Sequence, residues 1–385
     1  MNHNLKLKIA LLSCCFVTAS TNAIAGNIPE MAKTFSSTPL YIIELITTIP
    51  SLFQMLAIIF GRFIAKKIGY KNNILLGIVL CGIGGVIPIF IQEIMLILLS
   101  RAVFGIGVGL ISSSLLTLII SFFDGETRST MIGMQGSIGG LGSLVATFIA
   151  GQLLIFGWNY SFITYFVSFI VLIIVFLFVP NVKNKEVHDN KETHQHATKS
   201  FKDIMGLVSL SLLMFLSVSL ATLFVIKSSS LVTQAGYGTA KDGSTIIMLI
   251  SLGSLLSGAI YGKIYSKIKD MSLVLFYVLC AVAFVIGGIF NHLITMLIAG
   301  FILGFGYMAF VPFIQEKIHS VYVHFGESAT SVVLVFQSLG AFLAPYLGNM
   351  FSYVTTDLNN QFIMSGVIFG VLALIAFFIK RPIQA

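Results

Sequence analysis

Two ionisable side chains, Glu44 and Arg101, stand inside long apolar runs. Charge at the centre of a bilayer is costly, about 2.5 to 3.5 kcal/mol on insertion scales, so each marks a place where chemistry is expected. A carboxylate there can take up and release a proton, because desolvation penalises its charged form, and a guanidinium at similar depth can bias that exchange. The competing reading is a permanent Glu44 to Arg101 ion pair, or a Glu44 that reaches the outer headgroups. At roughly 1.5 Å per residue, Glu44 lies about 6 Å and Arg101 about 9 Å into their runs. Four uncharged polar residues join them as candidates to line a cavity: Asn22, Gln135, Tyr307 and Gln337. An amide in hydrocarbon must find several hydrogen-bond partners, which is why the Asn and Gln residues carry more weight than Thr21 or Ser112 to Ser114, whose hydroxyls bond their own helix backbone. With one enclosed acid and 34 phenylalanines, such a cavity suits small amphipathic compounds better than sugars or phosphates.

These residues must be positioned by membrane-spanning helices. Of the 385 residues 57% are hydrophobic and 9% charged, against about 25% charged in a soluble domain, which excludes a soluble fold. The apolar runs are continuous rather than alternating with period two, so they predict helices and not a barrel. Twelve spans are expected, at 9–28, 40–64, 74–90, 95–122, 131–156, 162–179, 204–226, 244–264, 273–290, 293–314, 329–347 and 362–379. The Lys6 and Lys8 pair, the apolar run after it and Ala23-Ile24-Ala25 imitate a cleavable signal, but the run continues past Gly26 and supplies the first of an even set.

Loop charge sets the expected sidedness. With the N-terminus inside, Lys and Arg crowd the inner loops, while the outer loops and outer helix ends hold only Lys33, Lys227 and Lys241. Both termini are therefore expected in the cytoplasm, with the chain multi-pass in the plasma membrane. The one extended polar segment, 181–203, is read as a cytoplasmic linker that divides a six-helix bundle at 1–180 from a second at 204–385. Its His194 and His196 pair reads as solvated linker. The four cysteines all lie in apolar runs, so neither a disulfide framework nor a metal centre is expected, nor any cofactor. The basic residues sit in loops rather than on one helix face, which gives no footprint for nucleic acid.

The halves repeat weakly. GRFIAKKIG (61–69) matches GKIYSKIKD (262–270), and LLSRAVFGIGVG (98–109) matches LIAGFILGFGYM (297–308), each pair at the same place in its half. The repeat sets Thr245 opposite Glu44 and Gly300 opposite Arg101.

With these motifs the chain resembles the major facilitator superfamily over its whole length. The segment with Gly61, Lys66, Lys67 and Gly69 is similar to that family's gating-loop motif, with Arg62 where the first Gly is expected and Lys66 where an Asp belongs. The latch role of that Asp is thus not carried over. Arg101, Gly105 and Gly107 match the fourth-span motif. NIPEMAKTF (27–35) and GWNYSF (157–162) look like the bacterial drug:proton antiporter branch, whereas Ala146 and Thr147 replace that branch's Gly-Pro kink. The resemblance implies an all-α fold of two pseudo-symmetric six-helix bundles. It also implies a monomeric secondary transporter that exports small amphipathic compounds by alternating access, with protons as coupling ion. An importer or facilitator of a metabolite, or a non-transporting sensor, would use the same fold. An enzyme is not expected: no His, Asp or Cys cluster lies at a membrane face and G-x-S-x-G is missing.

Overall fold

The structure, a computed structural model, describes residues 3–180, 201–321 and 327–379. Two compact units divide the chain, Met1–Asn190 and Lys191–Ala385. The first holds α1 (His3–Ala19), α2 (Ile28–Thr34), α3 (Leu40–Ile68), α4 (Tyr70–Val86), α5 (Ile94–Phe122), α6 (Gly125–Leu153) and α7 (Val167–Phe178). The second holds α8 (Phe201–Gln234), α9 (Ala240–Ile268), α10 (Met271–Ile289), α11 (Leu293–Val321), α12 (Glu327–Phe351) and α13 (Leu358–Ile379). Among the described residues there is no strand. Eleven helical segments are long and apolar enough to cross a bilayer, and the apolar stretch Leu293–Tyr307 opens α11 as a twelfth. The fold is thus an all-α polytopic membrane fold. Outward apolar side chains such as Ile170, Ile173, Phe176 and Leu177 on α7 suit a lipid-facing surface.

Each unit pairs its helices in the same way. In the first, α1 packs on α6, α3 and α4 on α5, and α4 on α7; in the second, α8 packs on α12, α9 and α10 on α11, and α10 on α13. Matched glycines hold these pairs close. A Cβ on Gly105 would strike the Pro50 carbonyl of α3, and one on its counterpart Gly304 would strike the Ile250 carbonyl of α9. Gly107 abuts Cys81 of α4 as Gly306 abuts Cys280 of α10, and Gly142 abuts Phe16 of α1 as Gly340 abuts Phe215 of α8. Side-chain-free positions allow backbones to touch, which is how helices associate without a hydrophobic driving force.

Several expected boundaries move. The first span runs on to Thr34 but is broken, with 3-10 turns at Ser20–Asn22 and Ala25–Asn27 between α1 and α2. The expected loop after the second span is almost absent: α3 reaches Ile68, Gly69 takes φ +91° and α4 begins at Tyr70. Gly61, Lys66 and Lys67 are therefore helical, because the long lysine side chains reach solvent from a helix end whose dipole favours them. The seventh span does not stop at 226. Ser228-Ser229-Ser230 look like a polar break, but α8 continues to Gln234 because serine hydroxyls bond back onto their own helix, as Ser228 does to the Val225 carbonyl at 3.3 Å. Lys227 is consequently not at a helix end facing water; it is 5% exposed. The expected linker residues 201–203 open α8, whereas 181–200, including His194 and His196, lie outside the described residues.

Candidate functional site

The site in the first unit begins at Pro50. Without an N–H, a proline inside a helix leaves the carbonyl four residues back without its helical donor, and in α3 that carbonyl belongs to Ile46. A second set of carbonyls is released where the first span breaks at Ser20–Asn22. Arg101 of α5 answers both. Its Nε donates to the Ile46 carbonyl at 3.1 Å and its Nη2 to the Thr21 carbonyl at 3.0 Å. The close approach of α5 to α3 at Gly105 and Pro50 puts the guanidinium within reach.

Aromatic rings complete the enclosure. The guanidinium carbon lies 4.4 Å from the centre of the Phe104 ring, 4.9 Å from Tyr165 and 6.0 Å from Phe162, distances at which ring quadrupoles attract a cation. The Tyr165 hydroxyl donates to the Ser20 carbonyl at 3.2 Å. Arg101 is fully buried, and so is Glu44, two residues before Ile46 on α3. The guanidinium thus makes two hydrogen bonds to backbone carbonyls within an enclosed pair of charged residues. The repeat explains its own exception. In the second unit Gly304, the counterpart of Gly105, meets Ile250 rather than a proline, and Gly300 stands in place of Arg101 with its missing Cβ 3.1 Å from the Ile246 carbonyl.

About three helical turns along α5 from Arg101, a cavity of about 290 Å³ opens among α1, α5 and α6. Cys15, Thr18 and Ala19 of α1, Ser112 and Leu115 of α5, and Gln135, Gly136 and Gly139 of α6 line it. It carries no charge. At about 1.5 Å per residue its lining lies at the last turns of α1, about 11 to 15 Å short of the end of α5 and about 15 to 21 Å into α6. Thr18 donates to the Cys15 carbonyl at 3.2 Å and Ser112 to the Val108 carbonyl at 2.9 Å, so their hydroxyls are spent on their own helices. Gln135 adds a side-chain amide to that lining.

The other expected lining residues are not brought here. Asn22 is exposed at the break in the first span. Tyr307 and Gln337 belong to the second unit: the Tyr307 ring packs 5.3 Å from Phe310, and the Gln337 carbonyl oxygen is buried without a hydrogen-bond partner. Gly61 proves to be a packing position, its Cβ site 2.5 Å from Ser113 Oγ of α5, while Lys66 and Lys67 are exposed at the end of α3. Two segments quoted for the resemblance do meet. Asn27 donates to the Trp158 carbonyl at 3.2 Å, and the Trp158 indole donates to Thr34 Oγ1 at 3.0 Å with Phe35 against its ring. Sequence reasoning missed Asn73, which is buried on α4 and donates to the Leu110 carbonyl at 3.0 Å and Ser114 Oγ at 2.8 Å. It also missed Pro50, whose position four residues after Ile46 was the legible signal.

Known proteins support this layout. The chain is 25% identical over 221 residues to the quinolone resistance protein NorB of Staphylococcus aureus strain Newman, and equally to its counterpart in strain USA300. The match takes in 56% of this chain and 45% of NorB, so the chain spans about half the length of the curated relatives it matches. The fold superposes on the xylose transporter XylE from E. coli with TM-score 0.74 at 13% identity, over 99% of this chain and all of XylE. It superposes on a mutant form of the peptide transporter POT with TM-score 0.77 at 12% identity, over 98% of this chain and 94% of POT. At such identities the two structures speak for the fold alone. The sequence profile described as Major Facilitator Superfamily matches residues 10–345, and with the duplicated helix pairing and the Arg101, Gly105 and Gly107 packing this establishes that the chain belongs to the Major Facilitator Superfamily.

Proposed function

We propose that the chain is a proton-coupled exporter of small amphipathic compounds, working by alternating access as a monomer in the plasma membrane with both termini in the cytoplasm. Glu44 exchanges the coupling proton, and Arg101, anchored on the same stretch of α3, supplies the fixed positive charge that biases the exchange. The observation that carries the reading is a fully enclosed carboxylate in the unit whose uncharged cavity offers one amide, Gln135, and otherwise thiol, hydroxyl and apolar surface. The name of the NorB relative favours export, and loop charge favours the stated sidedness. Each proton is worth about 2.3 kcal/mol per 100 mV of membrane potential. The test is efflux of a fluoroquinolone and of a lipophilic dye from vesicles with an imposed pH gradient. Wild type should move them against their gradient and Glu44→Gln should not; concentrative efflux by Glu44→Gln would overturn the role of Glu44.

Import or facilitated uptake of a metabolite is the second reading. It is favoured by α6, which runs from Gly125 to Leu153 with Ala146 and Thr147 where the antiporter kink belongs. Transport of a nutrient toward the cytoplasm, with no effect on the dye, would select it.

A further inference from the structure

The cavity of the first unit owes its shape to two glycines. Gly136, Gly139 and Gly142 follow at three-residue steps along α6, each beside the last on the helix surface. The space next to them widens from step to step. A Cβ on Gly142 would strike Phe16 Cα of α1 at 2.8 Å, one on Gly139 would meet Ala19 Cβ at 3.7 Å in ordinary contact, and one on Gly136 would meet nothing within 4 Å. Gly142 is therefore a packing position. Gly136 and Gly139 line the cavity instead, where the side chains they lack would occupy its open volume.

The repeat shows that the helix pairing does not itself demand glycine there. Counting back from Gly142 and its counterpart Gly340, which abut Phe16 and Phe215, Gly139 corresponds to Gln337 and Gly136 to Leu334. The α8 and α12 pair of the second unit thus packs with side chains at both places. Size and charge describe what the first unit has kept room for. An apolar cavity of about 150 Å³ takes one benzene, so the cavity of about 290 Å³ here has room for about two rings. No carboxylate, ammonium or guanidinium lines it, and a charge buried in it would lack a partner, so the portion of a solute that enters is uncharged.

We propose that Gly136 and Gly139 set the substrate size of this cavity: by withholding side chains they let it seat an uncharged portion of about two fused rings, and it refuses larger ring systems. The inference rests on the exporter reading for its transport consequence, but the slot is tested by binding without a gradient. The probes are benzamide, 2-naphthamide and 1-pyrenecarboxamide, which share one polar group and differ in ring number. They are titrated into the full chain in lipid nanodiscs and followed by thermal stabilisation, with empty nanodiscs correcting for partition into lipid. The wild type should bind 2-naphthamide about tenfold more tightly than benzamide or 1-pyrenecarboxamide, since the second ring adds buried apolar area and further rings find no room. Gly136→Leu, which copies Leu334, should weaken 2-naphthamide by about tenfold and leave benzamide within about twofold, because the residual space still takes one ring. Gly139→Ala should weaken 2-naphthamide several-fold.

Gly258→Leu, on α9 with equally open surroundings, should leave all three affinities unchanged. Leucine is a better helix former than glycine, and its Cβ at position 136 meets no neighbour, so Gly136→Leu should fold; the wild-type size series and Gly139→Ala decide the matter should it not. Unchanged 2-naphthamide binding in the glycine variants, equal wild-type affinity for 2-naphthamide and 1-pyrenecarboxamide, or no binding of any of the three amides overturns the slot. Absence of pH-driven dye efflux by a wild type that keeps the size series overturns the exporter reading instead, which keeps the two failures distinct.

Discussion

Arg101→Met tests whether the guanidinium is there because Pro50 orphaned a carbonyl. Arg101 donates to the carbonyls of Ile46 and Thr21, at 3.1 and 3.0 Å, in a fully buried setting. Removing it leaves two acceptors unbonded, at about 1 to 3 kcal/mol each, and forfeits ring contacts worth about 1 to 2 kcal/mol. It also removes the cost of burying a charge, several kcal/mol in the opposite sense, so the single variant is not diagnostic. The coupling to Pro50 is. Pro50→Ala returns an N–H to position 50, which closes the helical bond to the Ile46 carbonyl and leaves Arg101 one fewer orphan to serve. In a double-mutant cycle, Arg101→Met should therefore cost about 1 to 2 kcal/mol less in the Pro50→Ala background than in the wild type. The assay is reversible unfolding in mixed micelles followed by helical circular dichroism, with all four proteins in the same lipid to detergent ratio. A coupling below about 0.5 kcal/mol, the range in which independent sites add, would refute the link between proline, carbonyl and arginine.

Gly105→Ala should destabilise the fold by about 1 to 2 kcal/mol: the added methyl meets backbone atoms of Pro50, including Cα at 2.7 Å, and overpacking outweighs the gain in helix propensity. Gly304→Ala should do the same against Ile250, whereas Gly258→Ala, with nothing within 4 Å, should be neutral or stabilising by up to about 1 kcal/mol; comparable stabilities for all three variants would defeat the repeat-packing account. Tyr237, in the turn between α8 and α9, has a buried hydroxyl without a hydrogen-bond partner, and burial pushes its phenol from 10.0 up to about 12. The folded chain holds that proton more tightly than the unfolded one, so the contribution to stability is complete below about pH 10 and is lost as pH rises through about 12. An absorbance titration of Tyr237→Phe should lose one phenolate of the late-titrating set relative to wild type; an unchanged late amplitude would refute the assignment.

Much of this was legible in the residues because hydrocarbon tolerates so few arrangements. Continuous apolar runs located the spans, and Gly105, Gly107 and their counterparts marked where backbones touch, since only glycine admits that approach. Gln135 stood out in the sequence because an amide is conspicuous among apolar residues, and in the structure it lines the cavity of the first unit. The seventh span was expected to end at 226, whereas α8 runs on through Ser228 to Ser230 to Gln234, because a serine hydroxyl serves a turn or a helix equally well. Asn22 is exposed at the break at Ser20–Asn22, where Tyr165 and Arg101 donate to the Ser20 and Thr21 carbonyls, a placement that no local pattern in the sequence announces.

Composition and order alone therefore specified a duplicated bundle of apolar helices and the residue types that must stand out within it. Which of those residues meet was decided by packing. Glu44 and Arg101 stand out in the sequence by charge and depth, and the proline in α3 and the broken first span add two neutral carbonyls within hydrogen-bonding distance of Arg101. Charge is written in the sequence; the direction in which a guanidinium points is set by which backbone groups the neighbouring helices have left unbonded.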